Sequence, residues 1–164
     1  MKRIVLVAAA ALVMVGCGKK ASESIAEKMI EHAMAKDGVK GKVNISDGKM
    51  SVETKDGTST FSAGGDAKVP DTFPKDVPVY AGTKVLMSIN VPNGANLILE
   101  SGDSVEKIVA FYKSKMTGAG WKEEMSMNQP NTTILAYKKE PRTVQLAVTQ
   151  AGTTSQITLT VADK

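Results

Sequence analysis

A chain of 164 residues has room for one domain, or for a small unit beside a modest one. Apolar residues make up 42% and charged residues 23%, an ordinary globular balance, but aromatics are only 4%. A core must therefore come from Val, Ile, Leu and Met, and a large aromatic ligand pocket is not expected. The formal charge of +4 includes Lys2 and Arg3; without them 19 basic residues face 17 acidic ones, and the lysines are scattered. That is too little positive charge for a nucleic-acid surface.

The chain opens with Lys2 and Arg3, then an uncharged run from Ile4 to Val15, then Gly16 and Cys17. Twelve apolar residues fall short of the roughly 20 that cross a bilayer as a helix, so residues 1–16 read as a signal peptide and not as a span. Cys17 is the sole cysteine, which rules out an internal disulfide. Met14-Val15-Gly16-Cys17 resembles the bacterial lipobox, with Met14 where leucine is usual. The resemblance implies a diacylglycerol on the Cys17 sulfur, cleavage before it, and acylation of the new amine. Two or more acyl chains hold a protein stably on a membrane, where one does so only marginally. In diderm bacteria the family's inner-membrane retention signal is an aspartate after the cysteine. Gly18 stands there, which implies the outer membrane for a diderm host.

Residues 17–23 then form the lipidated cysteine and a short tether. Residues 24–66 read as a helix followed by a β-meander. Ala26, Met29, Ile30, Ala33 and Met34 recur at helical spacing, Ser24 and Glu27 fit a capping box, and Gly38 ends the helix. The period then changes to two, with Val43 and Ile45, Met50 and Val52, and Ser59 and Phe61. Asp47-Gly48 and Asp56-Gly57 mark hairpin turns between these strands. The helix is expected to lie on the apolar face of the meander.

Residues 67–83 carry Pro70, Pro74 and Pro78, whose spacing forbids a helix and predicts an extended connector lying against protein through Phe73, Val77, Val79 and Tyr80. Residues 84–164 read as ββαββββ. The helix is capped by Asp103 with Glu106, buries Val105, Ile108, Val109, Tyr112 and Met116, and stops at Gly118 and Gly120. The expected class is α+β: an N-terminal helix with a three-stranded meander, then a two-layer antiparallel sheet with one helix. The stretch Asp76-Val77-Pro78-Val79-Tyr80-Ala81-Gly82-Thr83, with Phe111-Tyr112 and Gly120-Trp121, resembles a module of bacterial lipoproteins and envelope proteins. The resemblance implies an envelope α+β domain, and no reaction.

Chemistry-bearing constellations are scarce, so no catalytic, cofactor or metal residue is assigned. His32, the sole histidine, falls among polar helix positions and reads as solvated. Met125 and Met127 share a strand face, as a Cu(I) pair would, but are read as core filling. Glu123 and Glu124 point to opposite strand faces and cannot form an acid–base pair. Phe111, Tyr112 and Trp121 read as packing residues. The expected function is therefore a non-enzymatic, membrane-anchored envelope lipoprotein, a protein-binding or structural module with an envelope protein as the expected partner. Sheet edges and polar strand faces carrying Thr143, Gln145, Thr149, Thr158 and Thr160 are the expected contact surfaces. The alternative is a small-molecule or lipid-binding module, with an apolar pocket between helix and sheet lined by Leu86, Ile98, Ile108 and Tyr112.

Overall fold

The computed structural model describes residues 19–46, 49–65 and 67–163. The leader, Cys17, Gly18, the Asp47-Gly48 turn and Asp66 lie outside the described residues. Among those described are two helices, α1 (Lys19–Lys36) and α2 (Val105–Gly118). Nine strands accompany them: β1 (Gly41–Ser46), β2 (Lys49–Thr54), β3 (Gly57–Ala63), β4 (Lys84–Val91), β5 (Gly94–Ser101), β6 (Lys122–Gln129), β7 (Thr132–Lys139), β8 (Arg142–Ala151) and β9 (Thr154–Asp163). The protein is α+β. All nine strands form one antiparallel sheet in the order β1-β2-β3-β4-β5-β9-β8-β7-β6.

Two meanders run toward each other and meet at β5 and β9. Their hairpins are tight: Val91 pairs with Gly94 across Pro92-Asn93, Gln129 with Thr132 across Pro130-Asn131, and Ala151 with Thr154 across Gly152-Thr153. These two-residue turns let the strands run a residue or two past the alternating segments seen in the sequence. The sheet is also continuous across the proline-rich connector, because β3 pairs with β4 from Thr60↔Asn90 to Ala63↔Met87.

In a strand, successive side chains point to opposite faces, so register decides what each face carries. In β5, β7, β8 and β9 the fully buried residues fall on one face: Leu97, Leu99, Leu135, Tyr137, Leu146, Val148, Ile157 and Leu159. Ile108, Tyr112 and Met116 of α2 close over that face, joined by Phe73, Val77 and Tyr80 of the connector. In β1, β2 and β3 the apolar residues take the other face. Ile45, Met50, Phe61 and Ile89 stand in one cross-strand row, and the side turned the way α2 lies carries Asn44, Ser51 and Thr60 instead. The change-over falls at a bulge in β4 between Val85 and Met87. Val85 packs on the core beneath α2, whereas Met87 shares its row with Ile98 on the opposite face.

α2 is capped one residue later than the sequence pattern predicts. Ser104, not Asp103, accepts from the Lys107 N–H at 3.4 Å. Asp103 instead accepts from the Tyr80 hydroxyl at 2.7 Å and pairs with Lys107, also at 2.7 Å. At the other end, Gly120 at φ 81° lets Trp121 N–H reach back to the Met116 carbonyl at 3.0 Å. This Schellman closure turns Trp121 into the core, where it is 2% exposed.

α1 begins at Lys19, so Ser24 lies inside it and is no cap. Nor does the helix cover the meander's apolar face as expected; it runs along β1, the outermost strand. Glu27 and Glu31, one turn apart, accept from the Ile45 N–H at 2.6 Å and the Val43 N–H at 2.9 Å. These N–H groups lie on the free edge of β1, where a further strand would bind. Met34 packs beside Gly41, while Met29, expected in the buried stripe, is 68% exposed. The two carboxylates take the face that an apolar stripe alone assigns to burial.

Replacing Glu27 and Glu31 together with Ala is expected to strip two charge-assisted hydrogen bonds from the β1 edge and to lower stability by about 1–2 kcal/mol. Denaturant unfolding measures the loss, and amide exchange at Val43 and Ile45 should accelerate. Unchanged exchange at those two amides would mean that α1 does not guard the edge.

Candidate functional site

The sheet face turned away from α2 is the candidate binding surface. Its composition follows from register. Two cross-strand rows traverse it: Ile45, Met50, Phe61, Ile89, Asn96, Thr160, Gln145, Ala136 and Met125 in one, and Ala63, Met87, Ile98, Thr158, Ala147, Ile134 and Met127 in the other. All five polar residues singled out in the sequence, Thr143, Gln145, Thr149, Thr158 and Thr160, share this face. Their neighbours Val144, Leu146, Val148, Ile157 and Leu159 point into the core. Met50, Val52, Phe61, Met87, Ile89 and Ile98 are partly exposed. Among the described elements, only α1 approaches this face, at β1. The polar centre is pre-ordered: Asn96 donates its amide to the Thr160 hydroxyl at 2.8 Å, and Thr132 and Thr149 share a bond at 3.0 Å.

Met125 and Met127 lie at the β6 end of these rows. They are 38% and 44% exposed, so the expectation that they fill a core face is wrong. Every residue of β6, the edge strand, is exposed, although Lys113 of α2 reaches it at Ser126 and Glu123. The described residues contain no cluster of three His, Cys, Asp or Glu side chains placed to hold a metal. His32 is exposed on α1. Glu123 accepts from the Tyr137 hydroxyl at 3.4 Å and pairs with Lys113 at 3.6 Å. Burial first, and then the Glu123 charge, push the Tyr137 hydroxyl up to about 12, so it stays protonated.

The pocket expected from Leu86, Ile98, Ile108 and Tyr112 does not assemble. Ile98 lies on the open face, while Ile108 and Tyr112, on the inner side of α2, are 0% and 1% exposed. Phe111 links Tyr80 and Tyr112 through edge-to-face contacts at 4.9 and 5.2 Å. Phe111, Tyr112 and Trp121 are packing residues, as their sequence positions predict. The Tyr112 hydroxyl is buried and makes no hydrogen bond of full geometry; burial raises its pKa, and the nearby Tyr80 backbone opposes that.

A polar clamp fixes the connector across the end of α2. Arg142 grips the Asp76 carboxylate with both terminal nitrogens, at 2.9 and 2.6 Å, and Lys139 adds a third contact at 3.0 Å. Trp121 donates its indole N–H to the Asp76 carbonyl at 3.0 Å, and its ring lies 5.2 Å from the Arg142 guanidinium. The connector is thus not simply extended. Phe73 N–H returns to the Pro70 carbonyl and Val77 N–H to the Pro74 carbonyl, folding it into successive turns. The Arg142 hydrogen bonds, opposed by partial burial and helped by Lys139, hold the Asp76 carboxyl down at about 2.

Residues 83–157 match the family described as START domain-like. The match runs from the start of β4 through α2 into β9, taking in the helix and the strands it lies on. No curated protein and no solved structure matches the chain. No helix among the described residues is long and apolar enough to cross a membrane.

Because the Asp76 pKa is depressed in the folded state, its stabilisation is full above the unfolded value near 3.8 and lost as pH falls toward 2. Asp76 is 30% exposed, so solvent screening limits the effect to about 1–2 kcal/mol. Asp76→Asn is expected to destabilise the protein at pH 7 and to flatten its acid-unfolding profile between pH 4 and 2. A wild-type slope surviving in the variant would show that other carboxylates set it. In the sheet, Leu146→Ala should cost about 2–5 kcal/mol and its neighbour Gln145→Ala under about 0.5 kcal/mol. Equal losses in thermal unfolding would contradict the assignment of the two faces.

Proposed function

We propose that this protein is a non-enzymatic envelope lipoprotein, anchored through acylated Cys17, whose sheet offers its open face to an envelope protein partner. In a diderm host Gly18 directs it to the outer membrane. The observation that carries the reading is the row Met50, Phe61 and Ile89, with Met87 and Ile98 beside it. This apolar strip is aligned by backbone pairing, and no described element lies over it. Contiguous apolar surface rimmed by hydroxyl and amide groups suits a protein interface, where the apolar centre is desolvated and the rim stays wet. The START domain-like match supports a binding role and names no reaction.

A second reading places a small apolar ligand between α2 and the sheet, within the matched segment. The buried Tyr112 hydroxyl, which has only the Tyr80 backbone nearby and no hydrogen bond of full geometry, favours it, since a ligand oxygen would satisfy that group. The dense packing of Leu97, Leu135, Leu146 and Leu159, each no more than 1% exposed, weighs against it, because α2 would have to move aside for such a ligand.

A photo-crosslinking residue at Phe61 or Ile98, activated in intact membranes, is expected to yield a discrete protein adduct. The same probe at exposed Lys115 on α2 should not. Adducts to lipid alone, or none, would overturn the protein-partner reading. Cys17→Ser is expected to release the protein from the membrane fraction, and full retention of that variant would remove the lipid anchor.

A further inference from the structure

α1 presents an outward face that the fold leaves unused. Its two inward glutamates are committed to the β1 edge, Glu27 to Ile45 and Glu31 to Val43. At 100° per residue, the opposite side of the helix carries Ile25, Lys28, Met29, His32 and Lys36, all exposed and none acidic. Ile25 and Met29 are 61% and 68% exposed, the two most exposed large apolar residues described. They stand one turn apart and form a single ridge, with Lys28 on one flank and Lys36 in line with it two turns further on.

We infer that this face of α1 lies on an anionic phospholipid surface, so that the helix sets the orientation of the folded body on the membrane. The inference rests on the Cys17 anchor proposed above. One residue separates Cys17 from the start of α1, so the backbone from the cysteine to Lys19 spans at most about 7 Å. A helix that starts this close to an acylated sulfur begins at the headgroup layer. Its 18 residues reach about 27 Å and can lie along that layer. Ile25 and Met29 then enter the boundary between headgroups and acyl chains, while Lys28 and Lys36 meet lipid phosphates, the arrangement of an interfacial helix. The lipid chains supply the affinity and the helix face supplies the orientation. A second copy of the chain would explain the apolar ridge but not the basic residues around it.

The test uses the acylated protein in vesicles of phosphatidylethanolamine and phosphatidylglycerol, with Cys17 acylation read by mass spectrometry on the same sample. Trp121 is buried and gives a constant background. A Met29→Trp reporter is expected to emit further to the blue and to lose several-fold in iodide quenching, relative to Thr153→Trp on the β8–β9 turn. Adding Lys28→Glu and Lys36→Glu should restore quenching. If acylation is present and both reporters quench alike, the inference falls and the anchor stands. If the acyl mass is absent, anchor and inference fall together. Shielding that disappears as protein is diluted at constant lipid would assign the ridge to a second copy and overturn the inference.

Discussion

The pairing of β5 with β9 is the contact on which the architecture depends. Eight consecutive residue pairs, from Gly94↔Ala162 to Ser101↔Ser155, join two meanders that would otherwise be separate sheets. Because the pairing aligns Leu97 with Leu159 and Leu99 with Ile157, it also builds the floor on which α2 rests. A slip of one residue would turn those leucines outward and bring Asn96 and Thr160 beneath the helix, leaving polar groups without partners in a desolvated layer. The register is therefore held by burial as much as by backbone hydrogen bonds.

From that junction the two halves diverge. The second meander spends most of its apolar residues on α2, and its other face is largely threonine, glutamine and alanine, with Ile134, Met125 and Met127 toward the β6 edge. The first meander turns its apolar residues the opposite way, where α1 reaches no further than the outermost strand. A continuous sheet thus carries apolar surface on opposite sides at its two ends, with the β4 bulge as the point of exchange. A helix over both halves would have to cover polar residues at one end. The clamp on Asp76 and the turns at Pro70 and Pro74 seat the connector on the side α2 already occupies, which leaves the other side clear.

Local pattern made most of the elements legible. Alternation found the strands, and Pro-Asn and Asp-Gly found their turns, because those residues act on their own backbone. The stripe in α2 was equally clear, since its inward residues are all apolar. α1 misled because helical spacing recognises only apolar residues, whereas here glutamates face inward to satisfy a strand edge. Met29 was drawn into the buried stripe for that reason. Asp76 gave no local signal, since Lys139 and Arg142 lie 63 and 66 positions away. The open face was half legible: its threonines could be named, but only pairing across β3, β4 and β5 shows that Phe61, Ile89 and Asn96 stand in one row.

β9, the last of the described strands, is inserted at the middle of the sheet and not at a margin. A chain that lengthens from its amino end can zip β1 through β5 as local hairpins, but it must hold the raw side of β5 unpaired until more than 50 further residues have arrived. Closing so long a loop carries an entropic cost that only the finished junction offsets. Until then the chain stays pliable and exposes a strand open to wrong pairing, a state that helps a polypeptide being threaded through a narrow pore and endangers one released before its final hairpin is made.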